Sequence, residues 1–354
     1  YNEEDHIAQA IESLLEFDYP NLEIIVVDDG STDRMYERAK PYADRGLVKL
    51  YRNSAATGRQ GRPAASNMAY GLSKGEFIVS IDADTSFDRY ALVEILGPFC
   101  DPAVGVVAGN LKPRNAVLNF ITRMQALEYL QSITLWKTWL NLLGWNMQAS
   151  GAFGAFRRRA LEDISAWDNE MAEDADLSLK IKRAGWKVVF SASAIAMTNV
   201  PEDLPTLVRQ RNRWDRGILR TSYRKHVGLM PFWRSDWRYA AEMSLEFLFS
   251  VVLTFFYLFW LVFMLVFFPI ILAFAIVIIY LVYVIAGYLS LGLVIATSER
   301  RTNEVDLLWY IPFFPIYKSF FRWVRLYALV LEYFYINYEQ NYLPETAWRN
   351  ARRW

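Results

Sequence analysis

Two short apolar runs, each ending in acidic residues, decide the fold of this chain. Residues 22–30 read LEIIVVDDG, and residues 76–84 read EFIVSIDAD. Short runs of β-branched and aromatic residues are typical of buried parallel strands. Ligands of open α/β sheets bind beyond the carboxyl ends of the strands. The acidic residues that end the two runs therefore mark the predicted ligand-binding edge: Asp28, Asp29, Asp82 and Asp84.

Helical patterns alternate with these strand patterns over the first part of the chain. Helices are predicted at residues 6–17, 34–43 and 63–73, and further strands at residues 47–51 and 104–108. Strands that alternate with helices are typical of a sheet covered by helices on both faces. The pattern predicts an α/β domain with a mostly parallel sheet over residues 1–203.

Composition and charge exclude several classes of protein and site. Lys+Arg and Asp+Glu both number 38, so the chain lacks the basic excess of a nucleic-acid-binding protein. Cys100 is the only cysteine, which excludes an internal disulfide and a zinc site built on cysteines. The two histidines, His6 and His226, lie far apart in the sequence. Any metal is therefore expected to be a hard cation held by carboxylates and phosphate.

A long apolar segment indicates a membrane protein. Residues 247–298 form 52 consecutive positions without a charge. Such a segment is about 78 Å long as a helix, whereas the hydrocarbon core is roughly 30 Å thick. Two crossings are therefore predicted, with Pro269 near the turn. Basic residues flank both ends, which predicts a multi-pass protein of the cell membrane with a cytoplasmic α/β domain: Arg234, Arg238, Arg300 and Arg301.

Two weaker apolar segments leave alternatives open. Residues 307–317 contain Pro312 and Pro315, and fit an interfacial helix, a re-entrant piece or a bent span. Residues 121–147 contain three tryptophans and fit either an interfacial segment or a buried helix of the α/β domain. The predicted regions after the α/β domain are an amphipathic interface region at 204–240, two transmembrane helices at 241–298, and a third membrane or interfacial segment with a basic tail at 299–354.

Two groups of carboxylates are candidates for chemistry. Asp82 and Asp84 are two positions apart, so in an extended segment both point to one side. They can form a Mg²⁺ or Mn²⁺ site shared with phosphate oxygens, or a plain solvated turn. Glu173 and Asp174 precede a predicted helix at residues 177–184. They can supply a general base, or they can cap the helix dipole.

Two basic segments are also open to more than one interpretation. Arg59 and Arg62 lie in a loop with Gly58 and Gly61, which can approach a diphosphate or remain an ordinary surface loop. Gln210, Arg213 and Trp214 combine an amide, a cation and an indole, which suits phosphate charge and the face of a sugar. The alternative for this basic region is a juxtamembrane patch that meets anionic lipid.

The order of these motifs resembles the processive family 2 glycosyltransferases, which include cellulose, hyaluronan, chitin and bacterial poly-N-acetylglucosamine synthases. The matching segments are Tyr1-Asn2-Glu3-Glu4, Val27-Asp28-Asp29-Gly30-Ser31-Thr32-Asp33, Gly61-Arg62, Asp82-Ala83-Asp84, Gly154-Ala155-Phe156-Arg157-Arg158, Ala172-Glu173-Asp174 and Gln210-x-x-Arg213-Trp214. Arg62 stands where Lys is usual, and Ala172 replaces Thr. The first segment follows a strand in the family, so the resemblance implies a strand before Tyr1.

The resemblance implies a glycosyltransferase A-type, Rossmann-like domain followed by interfacial and transmembrane helices. It implies inverting, processive transfer of a sugar, N-acetylglucosamine above others, from a UDP-sugar to a growing β-linked polysaccharide. Asp174 would be the base, and Asp84 with Asp82 would bind Mg²⁺ or Mn²⁺. The implied donor ligands are Tyr1, Glu3, Asp28, Asp29, Arg62, Asp82, Gln210 and Arg213. The implied acceptor ligands are Trp214, Glu173, Phe156 and Arg157.

The resemblance also implies partners and leaves two rival functions. The expected partners are the UDP-sugar donor, a polysaccharide or oligosaccharide acceptor, the lipid bilayer, and export or accessory subunits. One rival is transfer of a single sugar to a lipid acceptor. The other is a non-catalytic subunit of polysaccharide export, which the presence of Asp84 and Asp174 disfavours.

Overall fold

The computed structural model describes residues 1–53, 59–145, 148–231, 233, 237–298 and 300–334. Within this part of the chain, two compact units are distinguished. The first unit comprises the described residues of 1–114 and 148–199, and the second comprises those of 115–145 and 200–334. Gly58 of the predicted basic loop, Arg234 of the predicted basic flank and residues 335–354 of the predicted tail lie outside the described residues.

The strands all lie in the first unit. They are β1 (Ile25–Asp28), β2 (Lys49–Arg52), β3 (Phe77–Ile81), β4 (Ser86–Phe87), β5 (Val104–Pro113), β6 (Phe153–Arg157) and β7 (Lys187–Thr198).

The helices lie in both units. They are α1 (Ile7–Leu15), α2 (Met35–Asp44), α3 (Arg62–Leu72), α4 (Ala91–Leu96), α5 (Phe120–Tyr129), α6 (Trp136–Leu142), α7 (Arg158–Asp163), α8 (Glu173–Arg183), α9 (Leu204–Arg220), α10 (Trp237–Phe247), α11 (Leu253–Phe267), α12 (Pro269–Thr297), α13 (Arg301–Glu304) and α14 (Phe314–Phe334). Single turns of 3-10 helix occupy Gly97–Cys100 and Val227–Leu229, and a longer 3-10 segment occupies Val305–Phe313. Wider π-helical turns occupy Leu130–Leu135, Thr221–Lys225 and Leu248–Val252.

The sheets of the first unit are more mixed than the sequence predicts. β1 and β2 form a parallel pair, and the other strands form a five-stranded sheet in the order β3-β6-β5-β7-β4. In that sheet β5 and β7 are parallel, whereas β6 is antiparallel to both of its neighbours and β4 is antiparallel to β7. The predicted α/β class is confirmed. The sheet is less parallel than expected because β6 runs antiparallel to β3 and β5, and β4 runs antiparallel to β7. The segment that forms β6 was expected to contact the ligand, and no strand was predicted there.

Burial explains where these elements lie in the first unit. Every residue of β5 is buried, as expected for a strand with neighbours on both edges and cover on both faces. The apolar face of α1 meets that of α2 in a small core with Val48 before β2, and its buried members are Ile7, Ile11, Met35, Ala39 and Val48. This core fixes the loop after β1, where the first acidic cluster lies.

Residues 121–147, whose place the sequence leaves open, fall in the second unit as far as they are described. Met124 and Leu127 of α5 are buried with Leu291 of α12 and Ile311 of the 3-10 segment. α5 begins with a capping box, in which the Asn119 side chain accepts from the backbone N–H of Thr122. The predicted α/β domain of residues 1–203 is therefore interrupted by residues 115–145, which pack elsewhere.

Two helices of the second unit have the length and composition of membrane spans. They are Ala240–Phe267 and Pro269–Thr297, with 28 and 29 residues and hydropathy of 2.5 and 2.9. Only 6% and 11% of their most apolar windows are buried in the structure, so their apolar side chains face outward. A core helix of a soluble domain would be buried instead. Pro269 opens the second helix, as expected from its fixed φ and missing N–H.

The third apolar segment has a different character. It is a 3-10 segment followed by α14, which carries Lys318, Arg322, Arg325 and Glu332. Within the described residues, α14 does not share the length and hydropathy of the two span-like helices. Its buried side chains are mostly apolar, with Glu332 among them, which indicates a helix held by protein contacts on one face.

A glycine in the middle of β5 provides a test of the sheet packing. A Cβ added to Gly109 would lie 2.1 Å from Cδ1 of Phe153, which is itself 1% exposed. We expect Gly109→Ala to lower the free energy of unfolding by about 2 kcal/mol, because an overpacked core must shift. The matched control is Gly97→Ala, where an added Cβ meets nothing within 4 Å. Equal thermal midpoints for the two variants would contradict this packing.

Candidate active site

The first unit contains a cavity of about 1150 Å³. Its long walls are formed by residues 22–27, which lead into and include most of β1, and by residues 75–81, which include β3. Polar side chains line it as well, and among them are Tyr1, Glu3, Asp29, Arg59, Arg62, Asp82 and Asp84. Because the two acidic clusters follow β1 and β3, the predicted edge of the sheet and the cavity coincide.

Asp29 organises the loop that leads into α3. Its Oδ1 accepts from the backbone N–H of Gln60 at 3.0 Å, and its Oδ2 accepts from that of Gly61 at 2.7 Å. The side-chain amide of Asn53 also donates to Asp29, at 2.5 Å. Gly61 has φ of +93°, which a residue with a side chain rarely adopts. This loop conformation places Arg62 at the first position of α3.

Asp28 has a structural role where a nucleotide ligand is predicted. Its side chain is fully buried, its Oδ1 accepts from the backbone N–H of Ser31 at 2.8 Å, and its Oδ2 pairs with Arg52 at 2.9 Å. A carboxylate without exposed surface cannot touch a ligand directly. The predicted contact of Asp28 with the nucleotide is therefore corrected to a role in shaping the turn after β1.

The first four residues are fixed against the same turn. The backbone N–H of Asn2 donates to Ser31 Oγ at 2.9 Å, and that of Glu4 donates to Asp33 Oδ2 at 3.0 Å. The Arg59 guanidinium lies over the Tyr1 ring, 4.3 Å from its centroid. These contacts hold Tyr1 and Glu3 at the wall of the cavity.

Arg62 is the central side chain of the site. Its Nε donates to Asp82 Oδ1 at 2.9 Å, and its Nη1 donates to Glu173 Oε1 at 2.5 Å. Its Nη2 donates to the carbonyl oxygen of Gly151. One guanidinium therefore joins the end of β3, the start of α8 and the loop before β6. Arginine suits this role better than lysine, because its planar fork offers donors in several fixed directions.

Asp174 lies in the first turn of α8 and is held by the loop before β6. Its Oδ2 accepts from the backbone N–H of Gly151 at 3.1 Å, and its Oδ1 accepts from Gln148 Nε2 at 3.1 Å and from the N–H of Ala175 at 2.8 Å. Its neighbour Glu173 is 7% exposed, and this burial raises the pKa of the Glu173 carboxyl despite the nearby Arg62. Asp174 is the less buried of the two carboxylates.

Acidic side chains repel one another at the cavity. Burial and the neighbouring Asp84 raise the pKa of Glu3 to about 7. Burial and the neighbouring Asp82 likewise raise the pKa of Asp84, although Thr85 Oγ1 donates to it at 3.2 Å. A cation bound here would relieve this repulsion, and carboxylate oxygens are ligands that Mg²⁺ and Mn²⁺ accept.

The carboxylates fit a cation only with additional ligands. Within the described ranges, no group of three or more His, Cys, Asp or Glu side chains is placed to hold a metal ion. Asp82 is also paired with Arg62. Asp84 and Asp82 can therefore hold a hard cation when other oxygens, such as those of a diphosphate, complete its shell.

Phe156 and Arg157 make contacts within the protein. Phe156 is 4% exposed and packs edge-on against Trp167 at 5.6 Å. Arg157 donates to the carbonyl oxygens of Val104 at 3.0 Å and Phe99 at 2.8 Å. Their hydrogen-bonding and apolar groups are already used in the fold, so we do not propose these two residues as acceptor ligands.

Gln210, Arg213 and Trp214 lie on α9 of the second unit. Trp214 is 38% exposed, and the Arg211 guanidinium lies over its ring at 4.3 Å from the centroid. In the described part of the chain, Gln210 Oε1 is buried without a hydrogen-bond partner. The three predicted residues thus lie within little more than one turn of a single helix.

Two residues of the site escape sequence analysis. Gln148 and Gly151 hold Asp174, and Gly151 also binds Arg62. They precede β6, whose sequence does not show the pattern of a strand. The sequence therefore does not indicate that Gln148 and Gly151 lead into a structural element. The small residues Ala149, Ser150 and Gly151 directly before an aromatic run are the signal that could have indicated a tight turn.

Comparison with known proteins finds one family model that matches the N-terminal part of the chain. Residues 1–165 match the model of Glycosyl transferase family 2. This part of the chain is therefore similar to family 2 glycosyltransferases. This result agrees with the resemblance that the motifs indicate.

Relatives and a solved structure extend the comparison. The chain is 32% identical over 222 residues to a poly-beta-1,6-N-acetyl-D-glucosamine synthase of Staphylococcus aureus, which covers 61% of this chain and 52% of the relative. The corresponding protein of Staphylococcus epidermidis is 31% identical over 223 residues, with the same coverage. The chain therefore spans about half the length of these curated relatives.

A solved structure shares the fold of this chain. The mannosyltransferase PcManGT from Pyrobaculum calidifontis, in complex with GDP-Man and Mn²⁺, matches with a TM-score of 0.63 and 18% identity. The match covers 94% of this chain and 85% of that one. At this identity, the likeness establishes the fold class alone.

The ion pair between Arg62 and Glu173 predicts a coupled effect on stability. We expect Arg62→Ala to lower the free energy of unfolding by about 3 kcal/mol, because it leaves the buried Glu173 carboxylate without its cation. Adding Glu173→Gln should recover part of this loss, since the unpaired charge is removed. Thermal unfolding of the wild type, both single variants and the double variant measures the coupling. Additive losses would show that the two side chains do not depend on each other.

Proposed function

We propose that this chain is an inverting, UDP-sugar-dependent glycosyltransferase that extends a β-linked polysaccharide. The observation that carries the proposal is the meeting of Asp82 and Glu173 on the Arg62 guanidinium. Through this side chain, the carboxylates suited to a metal and the carboxylates suited to a base belong to one site. Such an arrangement supplies both functions that transfer from a nucleotide sugar requires.

Asp174 is the proposed general base. The N–H groups of Gly151 and Ala175 fix its carboxylate, and it remains partly exposed. The acceptor hydroxyl attacks the anomeric carbon of the donor sugar, and its proton passes to Asp174. A new carbon–oxygen bond forms as the bond between the anomeric carbon and the phosphate oxygen breaks. UDP leaves with the electron pair, and the configuration at the anomeric carbon inverts.

The diphosphate is held by charged groups at the cavity. Asp84 and Asp82 would hold a divalent cation, Mg²⁺ or Mn²⁺, which neutralises negative charge on the departing UDP. Arg62 lies beside Asp82, so its guanidinium could also contact the diphosphate that the cation binds. Asp82 would then bind the cation in place of Arg62. Tyr1, Glu3 and Asp29 line the cavity as the remaining donor-side residues of the first unit.

N-acetylglucosamine is the proposed donor sugar, and a growing polymer is the proposed acceptor. Both proposals are supported by the similarity to staphylococcal poly-beta-1,6-N-acetyl-D-glucosamine synthases. On α9, we propose that Trp214 stacks on the acceptor sugar, with Gln210 and Arg213 as the polar and charged groups beside it on the same helix. An exposed indole is suited to a sugar face, because its ring offers a flat apolar surface while its N–H can still donate to water or to the ligand.

We further propose that the protein is an integral membrane protein with its transferase domain in the cytoplasm. The two long apolar helices, whose side chains face outward, support the membrane location. The basic residues Arg238, Arg300 and Arg301 flank this pair of helices, which supports the orientation.

A membrane assay tests the proposed activity. Membranes that contain the chain are incubated with labelled UDP-N-acetylglucosamine, and products are separated by length. We expect a ladder of long products, loss of the ladder with EDTA, and its return with Mn²⁺ or Mg²⁺. A single labelled glycolipid would replace polymerisation by transfer to a lipid. No UDP release with any of UDP-N-acetylglucosamine, UDP-glucose or UDP-glucuronic acid would refute the transferase.

Replacement of Asp174 tests the proposed base. We expect Asp174→Asn to reduce transfer by at least about 100-fold, because an amide cannot accept the proton. UDP binding, measured by calorimetry, should remain close to that of the wild type, since Asp174 does not line the donor cavity.

Asp168→Asn is the matched control for Asp174→Asn. Asp168 pairs with Lys180 and is 45% exposed on its side chain, so the same chemical change there removes no proposed catalytic group. Substantial polymerisation by Asp174→Asn would show that another group takes the proton.

A further inference from the structure

A charged cluster in the second unit lies directly beside Trp214. Arg211 precedes Trp214 by three positions on α9 and is 7% exposed. Its Nη2 donates to Glu128 Oε2 of α5 at 2.6 Å. Residues three apart on a helix are neighbours on its surface. The buried end of Arg211 and the exposed Trp214 therefore belong to one local arrangement.

Glu128 receives donors from a second helix as well. The Tyr317 hydroxyl of α14 donates to the same Oε2 at 2.8 Å, and Lys318 Nζ lies 4.0 Å from Oε1. Burial lowers the pKa of Lys318, while Glu128 acts in the opposite direction. This carboxylate is 17% exposed and joins three segments of the second unit. A partly desolvated ion pair with further hydrogen bonds holds its members in one geometry better than an exposed pair does.

The position of the Arg211 guanidinium explains why this geometry matters for the indole. Its Cζ lies 4.3 Å from the centroid of the Trp214 ring, which is within the range of a cation–π contact. Trp214 has no hydrogen bond to another side chain among those found in the described residues. The guanidinium face is thus the polar contact that fixes the plane of a ring that is otherwise 38% exposed.

We infer that Arg211 is a positioning residue for the acceptor sugar, anchored by Glu128 and Tyr317. The inference rests on the proposed function, in which Trp214 stacks on the acceptor. Stacking on a sugar requires a ring held in one plane, and a ring free to turn would lose this contact part of the time. Arg211 does not need to touch the substrate. It acts through Trp214, so its loss should affect use of the acceptor and leave reaction of the donor with water unchanged.

Two substitutions test the cluster. Arg211→Gln removes the cation, and Glu128→Gln removes its anchor with little change of shape. For both we expect the KM of an N-acetylglucosamine oligosaccharide acceptor to rise at least about fivefold, as loss of a cation–π contact of roughly 1 kcal/mol implies. The kcat of UDP release without acceptor should stay within about twofold of the wild type by the same accounting. The double variant should be no worse than either single one, because both remove the same contact.

Arg325→Gln is the matched control. Arg325 of α14 pairs with Asp215 of α9 at 2.9 Å. Asp215 is the residue after Trp214, so the loss of Arg325 removes a charge from the neighbourhood of the indole without touching the Arg211 cluster. Its acceptor KM and its donor reaction should equal those of the wild type. If Arg211→Gln fails to fold, Glu128→Gln alone is measured by the same criteria, since it keeps the shape of the anchor and removes its charge.

The outcomes separate this inference from the proposed function. An acceptor KM of the Arg211 variant equal to that of the wild type overturns the positioning role. Equal losses in acceptor use, donor reaction and thermal midpoint also overturn it, because they indicate a purely structural residue. A wild type that releases no UDP refutes the proposed function instead. A wild type that polymerises, with an Arg211 variant impaired only in acceptor use, supports both.

Discussion

The site depends on one guanidinium that binds oxygen atoms from three separate parts of the chain. Arg62 contacts Asp82 after β3, Glu173 at the start of α8 and the carbonyl of Gly151 before β6. The buried carboxylate of Glu173 would be costly without a cation beside it. Arg62 is itself placed by the Asp29 loop, whose backbone N–H groups bind a single carboxylate. The fold and the charge arrangement therefore require each other.

A related principle operates in the second unit with a different purpose. There the charged side chains of α9 pair with α5 and α14, and both Arg216 and Glu332 are almost wholly buried, 3.1 Å apart. Arg224 also pairs with Glu332 at 2.9 Å. These pairs join the helices by interactions that depend on direction as well as on area. Trp214 lies within this set and remains exposed, so the surrounding helix is rigid where its indole is free to meet a ligand.

Much of the first unit can be predicted from local sequence. The runs at residues 22–30 and 76–84 form strands, and the acidic residues after them reach one cavity. β6 escaped prediction because residues 153–157 read FGAFR, which lacks β-branched residues and contains a glycine. Two antiparallel pairs of the sheet, β3 with β6 and β5 with β6, involve this strand. The sequence also does not show that Asp28 is buried. An acidic residue at the end of a strand gives the same sequence pattern whether its carboxylate contacts a ligand or accepts hydrogen bonds from the following turn.

The glycine at position 151 restricts the sequence more narrowly than any other residue of the site. A Cβ there would lie 2.5 Å from Nη1 of Arg62, whose guanidinium is held by two carboxylates and cannot simply swing aside. Alanine, the smallest possible change, would have to displace the central cation of the site. The position thus favours glycine, because any side chain there would press on the guanidinium of Arg62. A survey of random substitutions should find this apparently featureless position as sensitive as the charged residues around it.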